Sequence, residues 1–161
     1  MFTAADPSAG PGPDQVAQMR PLLEQAALIK LAREEAEWLF SSADPAEISA
    51  GLPQKPDVLV TDGGQPVRWC MAGHSGSMPV LAPPRVVDTT GAGDAFTAGM
   101  LHQLVALTPS AGQPLRLSEA VVEQVVRYAA ACGALVCAGP GGIDPQPLPS
   151  RVMQFLDQLD D

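Results

Sequence analysis

Residues 86–96 read VVDTTGAGDAF, with two glycines and an alanine between two aspartates, an apolar pair before them and a helical run behind. Gly91, Ala92 and Gly93 are small enough for consecutive backbone N–H groups to approach one ligand, and glycine reaches dihedrals that other residues avoid. A loop of this kind leading into a helix forms an anion hole. The positive end of the helix dipole adds to it, so a phosphoryl group carrying developing charge can be held there without a lysine. Asp94 needs a separate reason, because a carboxylate repels the anion the loop should bind. In phosphoryl transfer to an alcohol, a carboxylate beside the phosphoryl site orients the attacking hydroxyl and takes its proton as the bond forms. The plainer alternative is that Asp94 is a first-turn acid on an ordinary helix and the glycines make a tight loop. A G-x-G-D string alone does not separate the two readings.

The elements that must hold this loop can be read on either side of it. Behind it, DAFTAGMLHQLVAL (94–107) has a helical period, and so does SEAVVEQVVRYAAACGALVCA (118–138), with Ser118 placed as an N-cap. GPGGIDPQPLP (139–149) reads as a Gly/Pro loop and SRVMQFLDQL (150–159) as a closing helix. Upstream, residues 1–14 read as a loop or loose N-terminal segment, and from Gln15 the apolar positions Val16, Met19, Leu22, Leu23 and Ala26 recur at helical spacing. ALIKL reads as a short buried strand and AREEAEWLF as a helix with Ala36, Leu39 and Phe40 on one face. A Pro-rich connection follows, then the strand DVLVTDGG ending in a turn, the alternating strand PVRWCMA, and GHSGSMP as a connector. Strands alternating with helices predict an α/β sheet covered by helices.

Composition limits what such a unit can do. The chain has 161 residues, the size of one domain, with 46% hydrophobic residues, 17 prolines and 15 glycines, which predicts a folded unit with many loops. Its formal charge is −9 and its lysines are Lys30 and Lys55, so no basic stripe is available for a nucleic-acid backbone. Cys70, Cys132 and Cys137 are odd in number and lack C-x-x-C spacing; Cys132 and Cys137 fall in an apolar helical pattern, where a free thiol packs as a small hydrophobe. A reducing cytoplasm is the expected location. No apolar run reaches the length of a membrane span and no secretory pattern opens the sequence, so a membrane is not an expected partner.

The stretch DTTGAGDAFTAGML, fourteen consecutive residues from Asp88, resembles the C-terminal signature of the PfkB, or ribokinase-like, carbohydrate kinases. ALIKLAREEAEWLF, VLVTDGG and CAGPGGIDPQPLP follow the order seen in that family, in its fructokinase-like members above all. The resemblance covers nearly the whole chain. It implies a partial ribokinase-like three-layer α/β/α sandwich, with residues 15–161 as the C-terminal portion of the kinase domain, and transfer of the γ-phosphoryl group of ATP to a sugar hydroxyl with Mg2+.

By this resemblance Asp94 is the catalytic base, and Gly91, Ala92 and Gly93 form the anion hole with the Asp94 backbone. Asp88, with backbone oxygens of Thr90 and the Gly141–Gly142 loop, matches a monovalent-cation site for an ion such as K+. Thr61, Gly63 and Gly64 match the start of the nucleotide-binding T-x-G-x-x-G pattern, although Pro66 stands where its last glycine would be; TDGGQP could equally be a plain turn between strands. Glu35 matches the glutamate of an N-x-x-E element that supports magnesium and phosphate through water, with Ala32 in place of the asparagine. Glu34, Glu35 and Glu37 would otherwise be the wet face of an amphipathic helix. His74 and His102 have no partner at metal spacing and receive no role.

The resemblance also implies a part of the fold not represented in these 161 residues. Family members carry, before the matched segment, a half containing the glycine-rich sugar pocket, the lid strands and much of the central sheet, so Met1 aligns within the domain. Two functions follow as expectations: a sugar kinase or its phosphoryl-transfer half, or a truncated noncatalytic remnant that binds nucleotide, self-associates or pairs with a complementary N-terminal half.

Overall fold

A computed structural model describes residues 12–83, 85–108 and 117–160. Two compact units divide at Ser77 and Met78. In the first, α1 (Pro13–Leu23) leads to β1 (Leu28–Ala32), α2 (Arg33–Phe40), α3 (Pro45–Ala50), β2 (Asp57–Asp62), β3 (Gln65–Met71) and β4 (His74–Met78). The sheet order is β1-β2-β3-β4. β1 and β2 are parallel, with Leu28 opposite Asp57, and β2 and β3 are antiparallel. A parallel pair needs a crossover, which α2 and α3 supply, whereas an antiparallel pair can be joined by a two-residue turn. Gly63 and Gly64 make that turn between the paired residues Asp62 and Gln65.

Alternation sets which face is buried. Ile29 and Leu31 of β1, Val58 and Val60 of β2, Ala36 of α2, and Ile48 and Leu52 from α3 onward form one apolar core, with Leu39 and Phe40 half-buried against it. α3 was expected to be a Pro-rich connection. It is a helix because Asp44 caps it, accepting from the N–H groups of Ala46 (2.8 Å) and Glu47 (3.0 Å), donors that otherwise lack a partner at a helix start. β4 replaces the expected connector GHSGSMP. Its Gly76 lies under the Trp69 ring, where a Cβ would come within 2.4 Å of the indole, so glycine is what lets this strand lie beside β3. The loop expected over residues 1–14 ends sooner than expected, since α1 begins at Pro13 with Asp14 in its first turn; residues 1–11 lie outside the described ones.

The second unit contains α4 (Ala92–Leu107), α5 (Glu119–Val136) and α6 (Pro149–Asp160). Ser118 occupies the expected N-cap position of α5. Ala95, Tyr128, Ala131, Cys132, Leu135, Val136, Val152 and Phe155 are among the residues of its core. α4 and α5 approach closely through small residues. A Cβ on Gly99 would lie 2.6 Å from Cys132 Sγ, and one on Gly133 would lie 3.1 Å from the Ala92 carbonyl oxygen. Val152 and Phe155, three residues apart on α6, bury one face of that helix, each contributing about 1.5–3 kcal/mol. Among the described residues no helix is long and apolar enough to cross a membrane.

Candidate active site at the head of α4

Gly91 is the N-cap of α4, in a left-handed conformation at φ 79°. A side chain is excluded there twice, by that conformation and by Gly142, whose Cα would lie 2.7 Å from an added Cβ. The Ala95 N–H begins the regular helical pattern by donating to the Gly91 carbonyl at 2.9 Å. The Ala92 N–H donates to the Thr89 carbonyl at 3.2 Å, so this amide is engaged within the loop. The N–H groups of Gly93 and Asp94 have no protein acceptor among the described residues. They belong to the first turn, whose free amides point out of the helix end. Asp94 is the third residue of α4 and is exposed, as is Gly93.

Asp88 braces this helix head. One carboxylate oxygen accepts from the Thr90 N–H (2.9 Å) and the Thr90 hydroxyl (2.7 Å). The other accepts from the Gly141 N–H at 2.9 Å, tying the 139–142 loop to the loop before α4. The Thr90 amide first, then its hydroxyl and the Gly141 amide hold the Asp88 carboxyl below the usual carboxylate range. The Val87 and Asp88 N–H groups both donate to the Cys137 carbonyl, at 2.8 and 3.3 Å, which fastens the same loop to the end of α5. No sequence signal pointed to that carbonyl, since the contact spans about fifty residues and uses only main chain. Burial pushes the Cys137 thiol up, with the Asp88 charge adding to it, and pushes Cys132 up to about 11. All three cysteines are free.

The remaining candidates lie in the first unit. Glu35 stands in the first turn of α2 and its Oε2 accepts from the Ala32 N–H at 2.7 Å, half of a capping box with no side-chain acceptor at Ala32 to complete it. Thr61 is the penultimate residue of β2, its hydroxyl 3.4 Å from the Leu31 carbonyl oxygen. Gly63, at φ 52°, and Gly64 have open space where side chains would project. Beside them a cleft of about 860 Å³ is lined by Arg33, Glu37, Asp62, Gln65, Arg68 and Ser77, among others. Arg33 bonds Glu37 (2.9 Å) and Asp62 (3.1 Å). The first pairing is legible as an i, i+4 pair on a helix, the second is not. Among the described residues no three His, Cys, Asp or Glu side chains group as metal ligands. At Asp88, a carboxylate beside the Gly–Gly contact offers oxygen donors of the kind a monovalent cation takes.

Residues 5–149 match the pfkB family of carbohydrate kinases. The chain belongs to that family, and its fold is a partial ribokinase-like α/β fold. Fructokinase-1 of Zea mays is 29% identical over 144 residues, covering 88% of this chain and 43% of the relative. The fructokinase of Xylella fastidiosa solved with bound ATP is 27% identical with a TM-score of 0.80, covering 97% of this chain and 50% of that one. A fructokinase double mutant of Vibrio cholerae O395, solved with fructose, ADP and potassium ion, is 25% identical with a TM-score of 0.72, covering 94% and 46%. The chain therefore spans half or less of the length of each of these three relatives.

Proposed function

We propose that this chain supplies the phosphoryl-transfer end of an ATP-dependent sugar kinase of the fructokinase type. The observation that carries the reading is the head of α4: an exposed carboxylate, Asp94, in the same first turn as two acceptor-free amides, those of Gly93 and Asp94 itself. In this mechanism a sugar hydroxyl oxygen attacks the γ-phosphorus of ATP. The new O–P bond forms as the bond to the β,γ-bridging oxygen breaks, ADP leaves, and the hydroxyl proton passes to Asp94. Charge developing on the phosphoryl oxygens is met by the amides of the Gly91, Ala92 and Gly93 loop; because the Ala92 N–H is turned to Thr89, the amides of Gly91, Gly93 and Asp94 are the ones left to donate.

Thr61, Gly63 and Gly64 serve the nucleotide, where the open space above both glycines lets a phosphate or ribose approach main chain. Asp88 and Thr90 would hold a monovalent cation such as K+, and Glu35 would support the nucleotide's Mg2+ through water. A magnesium ion on the phosphates offsets their charge during transfer. Fructose is the preferred sugar on the strength of the relatives named above.

The test supplies the N-terminal half of the Xylella fructokinase in trans, with ATP, Mg2+ and K+, and follows ADP release with fructose, other hexoses and ribose. Release that depends on a sugar, and is greatest with fructose, is the expected result. ADP release that is the same with every sugar and with none would refute the kinase reading, and nucleotide binding without turnover would favour a noncatalytic half-domain.

A further inference from the structure

Away from the head of α4, charge gathers in the cleft of about 860 Å³ beside the β2–β3 turn, whose lining comes entirely from the first unit. Arg33 and Glu37 reach it from one side of α2, Asp62 from the end of β2, and Arg68 from β3, where it pairs with Val60. The Arg33 guanidinium is divided between two acids: Nε donates to Glu37 Oε1 at 2.9 Å and Nη1 to Asp62 Oδ2 at 3.1 Å. This fork fixes both carboxylates and leaves Glu37 Oε2 and Asp62 Oδ1 without a protein donor among the described residues. Asp44, also on the lining, commits one oxygen to the amides that begin α3 and keeps the other free of them. Arg68 is half-buried, and among the described residues no carboxylate stands within ion-pair distance of it. A guanidinium in such surroundings ordinarily pairs with an acid; here Arg33 holds two of the acids to itself. Opposite charges therefore face one open volume without neutralising each other, an arrangement set before any ligand arrives.

We propose that this cleft binds a small zwitterion of the amino-acid class, its carboxylate on Arg68 and its ammonium on the uncommitted oxygens of Asp62 and Glu37. A carboxylate matches the planar guanidinium fork with two parallel bonds, and an ammonium brings three donors to groups that only accept. Other classes of ligand fit less well. Two arginines face three carboxylates on the lining, so its net charge is negative and a polyanion such as a nucleotide is repelled. A neutral sugar leaves Arg68 without a counter-charge, and a simple cation does the same. The volume falls within the range of roughly 300–1,000 Å³ usual for small-molecule sites, which leaves room for a side chain or a second residue. The inference rests on side-chain geometry within the first unit and does not depend on Asp94 or on sugar phosphorylation.

The experiment titrates the full chain with glycine, L-glutamine and glycylglycine, following each by ligand-observed NMR and calorimetry. At least one should bind saturably with a Kd in the micromolar to millimolar range. The N-acetylated form of that probe and its C-terminal amide should each bind at least about tenfold more weakly, because each has lost one charge-assisted contact. Arg68→Gln should lose affinity to the same degree, and Arg68→Lys, which keeps the charge but not the fork, should recover part of it. Should Arg68→Gln not fold, the blocked probes on the unaltered chain decide by themselves. Absence of saturable binding by all three zwitterions would overturn the proposal. So would blocked probes that bind as tightly as the zwitterion, or an Arg68→Gln chain that folds and binds undiminished. Inorganic phosphate that binds more tightly than every zwitterion, and loses its affinity in Arg68→Gln, would overturn it too and make the cleft a simple anion site.

Discussion

Asp88 accepts three hydrogen bonds that converge from two loops, and this makes the head of α4 sensitive to acid. Its folded pKa lies below its unfolded value, so the stabilisation it gives is complete above the ordinary carboxylate range and is lost as pH falls through the depressed folded value. Lowering the pH from about 6 to about 2 should loosen the Thr90 and Gly141 contacts, read as faster exchange of those two amides. In Asp88→Asn this acid-dependent step should disappear, with both amides already less protected at neutral pH. A step of unchanged size in the variant would assign the acid sensitivity to another group. Gly91 illustrates how far residue-level reading reached: its need for an unusual dihedral was legible in GAGD, but its contact with Gly142 was not, since only the fold brings residues fifty apart into main-chain contact.

At the scale of elements, the α4–α5 contact depends on the absence of a side chain at Gly99. Gly99→Val forces a branched side chain against Cys132 Sγ and the Ala129 Cα, which stand 2.6 and 3.3 Å from an added Cβ. The expected cost is about 1–3 kcal/mol, measured as a lower denaturation midpoint of the second unit with an unchanged slope. An unshifted midpoint would mean that the two helices separate freely. The long helices were legible because their apolar period is sustained, and Ser118 marked the start of α5. α3 was missed although Asp44, Pro45 and Glu47 spell a helix start, because the surrounding prolines read as breakers. β4 was missed because glycine and serine dominate HSGSM, and only the Trp69 ring above Gly76 explains a strand there. Glu35 could be read from sequence as a helix-face acid or a family ligand; its bond to Ala32 N–H adds a capping role that the spacing, three residues into a helix, already allowed.

For the whole molecule, rate in phosphoryl transfer comes from holding donor and acceptor in line and away from water. The head of α4, where we propose the base and the anion site, stands exposed, and the chain spans half or less of the kinases it resembles. The isolated chain should therefore bind adenine nucleotide weakly and phosphorylate no sugar at a useful rate. It should also self-associate, because Leu101 and Val105 lie 47% and 73% exposed on α4, with Val86 and Ile143 also exposed. Sedimentation across a concentration series checks this, and a monomer that stays soluble throughout would contradict it. The central claim is that Asp94 takes the proton of the attacking hydroxyl, and the direct measurement is steady-state kinetics of Asp94→Asn in the chain complemented by the Xylella half, alongside nucleotide affinity by calorimetry. The account predicts a kcat lower by about 10²- to 10⁴-fold with nucleotide affinity unchanged or tighter; a kcat near that of the unaltered chain would contradict it.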